Sequence, residues 1–183
     1  MKDASKFIAV REMEISDIDL LANYWYESSH EHLKSMGADK NLLPAYKDFC
    51  KMLKTQIQYP YQKKQAYALI WMFKGEAIGH CNVNQIVFER KAYMHLHLWE
   101  SKSRKRGMGT ALVKQSLPYF FENLKLEELF CEPFALNHAP NNLLKSMGFT
   151  YLKEHITKPG NINYIQPVKL WVLKKAQYLE RMV

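Results

Sequence analysis

The stretch Ser103-Arg104-Lys105-Arg106-Gly107-Met108-Gly109-Thr110 constrains this chain more than any other. An apolar, histidine-studded run precedes it, Tyr93-Met94-His95-Leu96-His97-Leu98-Trp99, and a run with helical spacing follows it. A strand, a short basic turn with glycines and a helix N-terminus together make an anion trap. The glycines let backbone N–H groups come close to an anion, and the amides of the first helical turn have no partner within the helix. The helix dipole adds partial positive charge there, so a phosphate or pyrophosphate is the natural guest. Arg104, Lys105 and Arg106 add long-range attraction.

Which phosphate-bearing ligand this is depends on the rest of the chain. The 183 residues suit one ordinary domain, and a hydrophobic fraction of 48% is enough for a packed core. The net charge of +8 fits a phosphorylated ligand, a nucleic acid or an acidic surface. The basic residues are dispersed, however, with one cluster at Lys102 to Arg106, and no nucleic-acid reading motif is present, so nucleic acid is not the expected partner. Cys50, Cys81 and Cys131 are odd in number and lack metal-ligand spacing, so free thiols and no metal are expected. There is no leader-like apolar core, and no apolar run approaches the ~20 residues of a membrane span, so a cytoplasmic protein with no membrane partner is expected.

The periodicities alternate between strand and helix. Lys6 to Arg11 reads as a strand. A helix follows, with Ser16, Asp17 and Asp19 at its start, then a second ending at Gly37 and a third over Leu42 to Tyr59. Gln65 to Phe73, Ala77 to Phe88 and Ala92 to Trp99 form a three-stranded meander. Gly107 to about Asn123 reads as a helix in which Pro118 predicts a kink or early end. Leu126 to Cys131 is a strand ended by Glu132-Pro133, Asn137 to Met147 a helix stopped by Gly148, and Phe149 to Glu154 and Tyr164 to Leu173 are the last strands. The strand–helix–strand unit between Ala92 and Cys131 implies a parallel pair. The expected fold is α/β: a single domain over 1–183, with a mixed central sheet of six to seven strands and flanking helices.

The chain resembles the GNAT superfamily of acetyl-CoA-dependent acyltransferases. That family's signature is Gln/Arg-x-x-Gly-x-Gly/Ala after a strand, matched by Arg104-Lys105-Arg106-Gly107-Met108-Gly109. Its later segment is an Asn, a helix and Gly-Phe at fixed distance, matched by Asn137, Leu143-Leu144-Lys145-Ser146-Met147 and Gly148-Phe149. The element order matches as well, over about residues 6 to 175. The Asn137 to Phe149 region is also loosely similar to the ribosomal-protein and other protein N-terminal acetyltransferases.

The resemblance implies acetyl-CoA as cosubstrate and a single-domain GNAT-like acyltransferase fold. The pyrophosphate would lie on backbone amides from Arg104, Lys105, Arg106 and Gly107 through Met108, Gly109 and Thr110. Leu98 and Trp99 would offer backbone bonds to the pantetheine, an amide there polarising the acetyl carbonyl, and Asn137 would reach the pantetheine arm. The implied reaction is acetyl transfer to a primary amine, on a small molecule or a protein N-terminus, by direct attack in a ternary complex. A homodimer is compatible with the family.

Acyl transfer to an amine needs a base, because an alkyl ammonium has a pKa of ~10. His95 and His97 are one pleat repeat apart and share a face, so they are the candidates for that role; the alternative is that they are hydrogen-bonded sheet residues. Glu100, His80, Asn82, Asn84 and Gln85 are weaker candidates near the same cleft, and His30 and His32 are candidates on the acceptor side. Tyr24, Trp25, Tyr26, Met36, Trp71 and Trp99 divide between acceptor pocket and core. One position departs from the family: the Tyr proposed to protonate the leaving thiolate is replaced by Leu144. That keeps open a second reading, a CoA-binding regulatory or interaction protein with weak or no catalysis.

Overall fold

The computed structural model describes residues 7–99 and 108–182. The elements follow in the order β1 (Ile8–Glu12), α1 (Ile18–Glu27), α2 (His30–Ser35), α3 (Tyr46–Gln58), β2 (Ala66–Phe73), β3 (Glu76–Val87), β4 (Lys91–Leu98), α4 (Met108–Pro118), β5 (Glu128–Cys131), α5 (His138–Ser146), β6 (Thr150–Thr157), β7 (Gln166–Lys174) and α6 (Lys175–Met182). The strands form one seven-stranded sheet in the order β1-β2-β3-β4-β5-β7-β6, parallel only between β4 and β5.

Both faces of the sheet are covered, and strand alternation divides the residues between them. Tyr67, Leu69 and Trp71 of β2 enter the core formed with α4, α5 and α6, whereas Ile70, flanked by Ala68 and Met72, packs with α1, α2 and α3. On β4 the first core takes Ala92 and Met94, with Leu96 and Leu98 packed against it. The alternate residues, His95, His97 and then Trp99, face the side of α1 and α2.

Several local features differ from the sequence expectation. Ser16 does not cap α1. A helical turn over Ile15–Asp17 comes first, closed by a reciprocal box between Glu14 and Asp17. The Asp17 carboxylate also takes a bidentate contact from Arg11 at 2.6 and 2.7 Å. The helix expected from Leu42 starts only at Tyr46: Leu42 ends a short helical turn, Lys40–Leu42, and Pro44 lies between the two. Pro118 does not stop its helix: the chain passes into a π-helical turn, Tyr119–Asn123, where the wider winding accommodates the missing donor and buries Phe120 and Phe121. Gly148, at φ +83°, reverses the chain after α5, with Phe149 N–H donating to Leu144 O at 3.0 Å. α6 was not anticipated.

Candidate active site

The site begins where the parallel pair comes apart. β4 and β5 pair over four rungs, from Lys91 opposite Glu128 to Met94 opposite Cys131. Tyr93 and Phe130 stack across the last rungs with centroids 5.2 Å apart, and the Cys131 thiol donates to Met94 O at 3.1 Å. Beyond that point β4 continues through Leu98 beside β3, while β5 turns toward β7, where Lys169 N–H donates to Pro133 O at 3.1 Å. A slot opens between the two strands.

The backbone of β4 sorts itself across this slot. Trp99 N–H donates to Ile78 O on β3 at 3.0 Å, so the Trp99 amide is not offered to the slot as the sequence had suggested. Successive amides along a strand point to opposite sides, which turns those of Leu98 and Leu96 toward the side β5 has vacated.

A cavity of about 530 Å³ passes through this opening. One end is walled by Gly109 and Thr110 of α4 and by Asn137, Ala139, Pro140 and Leu143 around the start of α5. Asn137 occupies the position before α5 without a side-chain capping bond, which leaves its amide available to the cavity. Asn141 holds the turn in place, donating to the carbonyls of Phe134 (3.1 Å) and Asn137 (2.7 Å) and accepting from Trp171 Nε1 at 2.9 Å. A Cβ on Gly109 would lie 3.2 Å from Leu143 Cδ1, so the absence of a side chain lets α4 and α5 close on each other at the cavity wall. Met108 is buried in the core. Arg104, Lys105, Arg106 and Gly107 lie outside the described residues, as does Glu100.

The other end is lined by His95, His97, Trp25, Met36 and Ala38. The two histidines are not equivalent. His97 is built into an aromatic cluster: its ring stacks on His80 at 4.5 Å and 15°, meets the edge of Trp25 at 5.0 Å, and has Nδ1 3.4 Å from the Tyr24 hydroxyl. His80 accepts from Trp99 Nε1 at 2.8 Å through Nδ1, so in the neutral ring its proton is on Nε2. His32 meets Tyr24 edge-on at 6.2 Å, whereas His30 is exposed. His95 differs from His97 in that its Nε2 is buried and has no hydrogen-bond partner among the described residues.

Burial keeps all three sheet imidazoles neutral. Burial, and secondarily the neighbouring His95, pulls His80 down to about 3. His95 is lowered to about 4 by burial. His97 is held well below its ordinary value by burial and by the adjacent imidazoles.

Glu132, which the sequence reading treated only as a strand terminator, also lines the cavity. It stands one residue past Cys131 as His95 stands one past Met94, so both are the first residues beyond the last paired rung, and their places in the pleat put them on one face. The Glu132 side chain is 11% exposed and Oε1 lies 3.2 Å from His155 Nε2 on β6. Burial raises its pKa, against the lowering influence of His155 and Lys153. Leu144, at the position of the family's tyrosine, is fully buried in the core, and Leu143 rather than Leu144 reaches the cavity. Trp71 is buried in the core, its Nε1 donating to Ser116 at 3.0 Å, and also forms part of the cavity lining. Among the described residues no helix is long and apolar enough to cross a membrane.

Comparison with known proteins agrees with this architecture. Among solved structures, the spermidine N-acetyltransferase from Vibrio cholerae, in complex with CoA and spermine, superposes with a TM-score of 0.77 at 15% identity, covering 95% of this chain and 99% of that one. The ribosomal L7/L12 alpha-N-protein acetyltransferase RimL, in complex with coenzyme A, gives 0.75 at 14% identity, with 96% and 98% covered. An uncharacterized protein from Bacillus halodurans gives 0.69 at 15%, with 95% and 87% covered. Likeness at such identities is one of fold. No curated protein matches the sequence. The profile of the acetyltransferase (GNAT) domain matches residues 8–150, most of the length. The chain belongs to the acetyltransferase (GNAT) domain family, the acetyl-CoA-dependent N-acyltransferases.

Proposed function

We propose that this protein moves the acetyl group of acetyl-CoA to a primary amine by direct attack in a ternary complex. The observation that carries the reading is the cavity running through the β4/β5 slot, with helix N-termini at one end and neutral imidazoles at the other. Two structural neighbours are named for acetylating amines, spermidine and a protein α-amino group, which agrees with an amine acceptor.

In this reading the Arg104–Gly107 loop and the first amides of α4 hold the pyrophosphate. Asn137 reaches the pantetheine arm, and the amides of Leu96 and Leu98 bond to it as a neighbouring strand would. The Leu98 amide is the donor nearest the end of the strand, and it faces the oxyanion that forms when the amine nitrogen attacks the thioester carbon. His95 and Glu132 serve the proton. Burial lowers the imidazole to about 4, so the ring is neutral and open to a proton at neutral pH, and burial raises the carboxyl, which makes it a stronger proton acceptor. The nitrogen loses its proton to this pair, the C–S bond breaks, and the thiolate departs. A thiol pKa of ~8.5 makes departure feasible without an acid at Leu144.

Thermal denaturation with CoA, acetyl-CoA and an oligonucleotide tests the ligand, and thiol release with a panel of amines tests the reaction. Stabilisation by CoA but not the oligonucleotide is expected, with amine-dependent thiol release. Absence of any stabilisation at saturating CoA refutes the reading. The buried leucine at 144 favours one alternative, a CoA-binding protein without catalysis; CoA stabilisation with no turnover of any amine would select it.

A further inference from the structure

The acceptor end of the cavity has its own roof. The connection between β6 and β7, residues 158–165, crosses above it and is tied down on both sides. On one side the carbonyl of Gly37 accepts from Tyr164 N–H (3.0 Å), Asn163 Nδ2 (3.1 Å) and Gln166 Nε2 (3.3 Å), and Asp39 N–H donates to Ile162 O at 2.7 Å. On the other, Gln85 Nε2 of β3 donates to Pro159 O at 3.4 Å. The side-chain NH2 groups of Asn163 and Gln166 are therefore already engaged within the protein, and both side chains are uncharged.

What remains to greet an acceptor is uncharged. Trp25, Met36, Ala38 and Phe134 supply apolar wall. His97 is stacked and neutral. Glu132 is the one carboxylate among the described lining residues, and in the reading above it is committed to the proton of the reacting amine. A second positive charge on the acceptor would lose its water here and find, among the described residues, no further anion to replace it. Approach would also run against the chain's net charge of +8.

We propose that the acceptor is a compact monoamine: one primary amine on an uncharged apolar or aromatic body, with polyamines and basic peptides excluded. This rests on the acyl-transfer reading above.

The test follows thiol release from acetyl-CoA by the full chain with phenethylamine, spermidine or a short lysine-rich peptide. The kcat/KM for phenethylamine should exceed that for spermidine by at least roughly 100-fold, the discrimination an uncompensated buried charge provides. Met36→Glu places a carboxylate on the acceptor wall and should shift the ratio toward spermidine by about tenfold, the low end of what a close charge pair contributes, whereas Met36→Gln should not. Spermidine or the peptide being used as well as phenethylamine overturns this inference and leaves acetyl transfer standing. So does an unchanged ratio in Met36→Glu. No turnover of any amine by a protein that CoA stabilises overturns both.

Discussion

Acidification should unfold this protein well before its carboxylates titrate. An unfolded imidazole has a pKa near 6.5, whereas folded His80 titrates at about 3 and His95 at about 4. Between those values the unfolded chain binds protons that the folded chain refuses, so stability rises with pH and is lost as pH falls through 6.5. From pH 7 to pH 5 each such residue costs roughly 2 kcal/mol, about 4 kcal/mol for the two, a large part of an ordinary folding free energy. His97 acts in the same direction. Glu132 acts oppositely, since its raised pKa makes the folded state bind the extra proton, and so offsets part of the loss. Asp17 is lowered: burial opposes ionisation, but the Arg11 and Glu14 N–H bonds outweigh it, so its contribution disappears only at more acidic pH. Urea titration followed by tryptophan fluorescence at pH 7, 6 and 5 measures the effect. The midpoint should fall by roughly 2 M for a slope near 2 kcal/mol/M. A midpoint that is constant or rises toward pH 5 would show that these imidazoles are charged or solvated in the fold, and would refute the account of the cluster.

His95→Ala should lower kcat by at least about tenfold with little change in CoA affinity or melting temperature, since Nε2 has no partner among the described residues; His97→Ala should instead destabilise by about 2 kcal/mol, because it removes a ring packed between His80 and Trp25. Urea titration and steady-state kinetics separate the two, and equal losses of stability would refute the distinction. Leu144→Tyr, which restores the family's residue, should cost about 1–3 kcal/mol through overpacking and should not raise turnover, because position 144 is sealed in the core. Gly37→Ala should raise KM for the amine and cost about 1–2 kcal/mol, since φ is +80° and a Cβ would fall inside the Gln166 side-chain amide; an unchanged KM would separate the roof from acceptor binding.

Strand alternation made the sheet readable, because β2 and β4 commit one face to each core. The paired motifs around Gly109 and Gly148 likewise marked the cavity's helical end in advance. Glu132 was invisible for a physical reason: its significance comes from His155 and from the rung beyond Met94, and neither relation has a local signature. The contrast between His95 and His97 was equally hidden. They share a face and a spacing, but Tyr24, Trp25 and His80 reach only one of them from distant parts of the chain. α6 escaped because Lys175–Met182 is mostly polar and follows β7 without a break; Tyr178, stacked on Phe121 at 4.5 Å, is what holds it in place.

The slot beside β4 also leaves that strand paired on one side only beyond Met94. A strand in the middle of a seven-stranded sheet is ordinarily the slowest part of a protein to exchange its amide hydrogens. Here the amides of Leu96 and Leu98 lie in that central position beyond the last rung with β5, with no neighbouring strand on that side among the described residues, so they should exchange with solvent as a loop does. Filling the slot turns the same two positions into interior ladder groups. Their exchange rates therefore report, residue by residue, whether the pantetheine lies along β4.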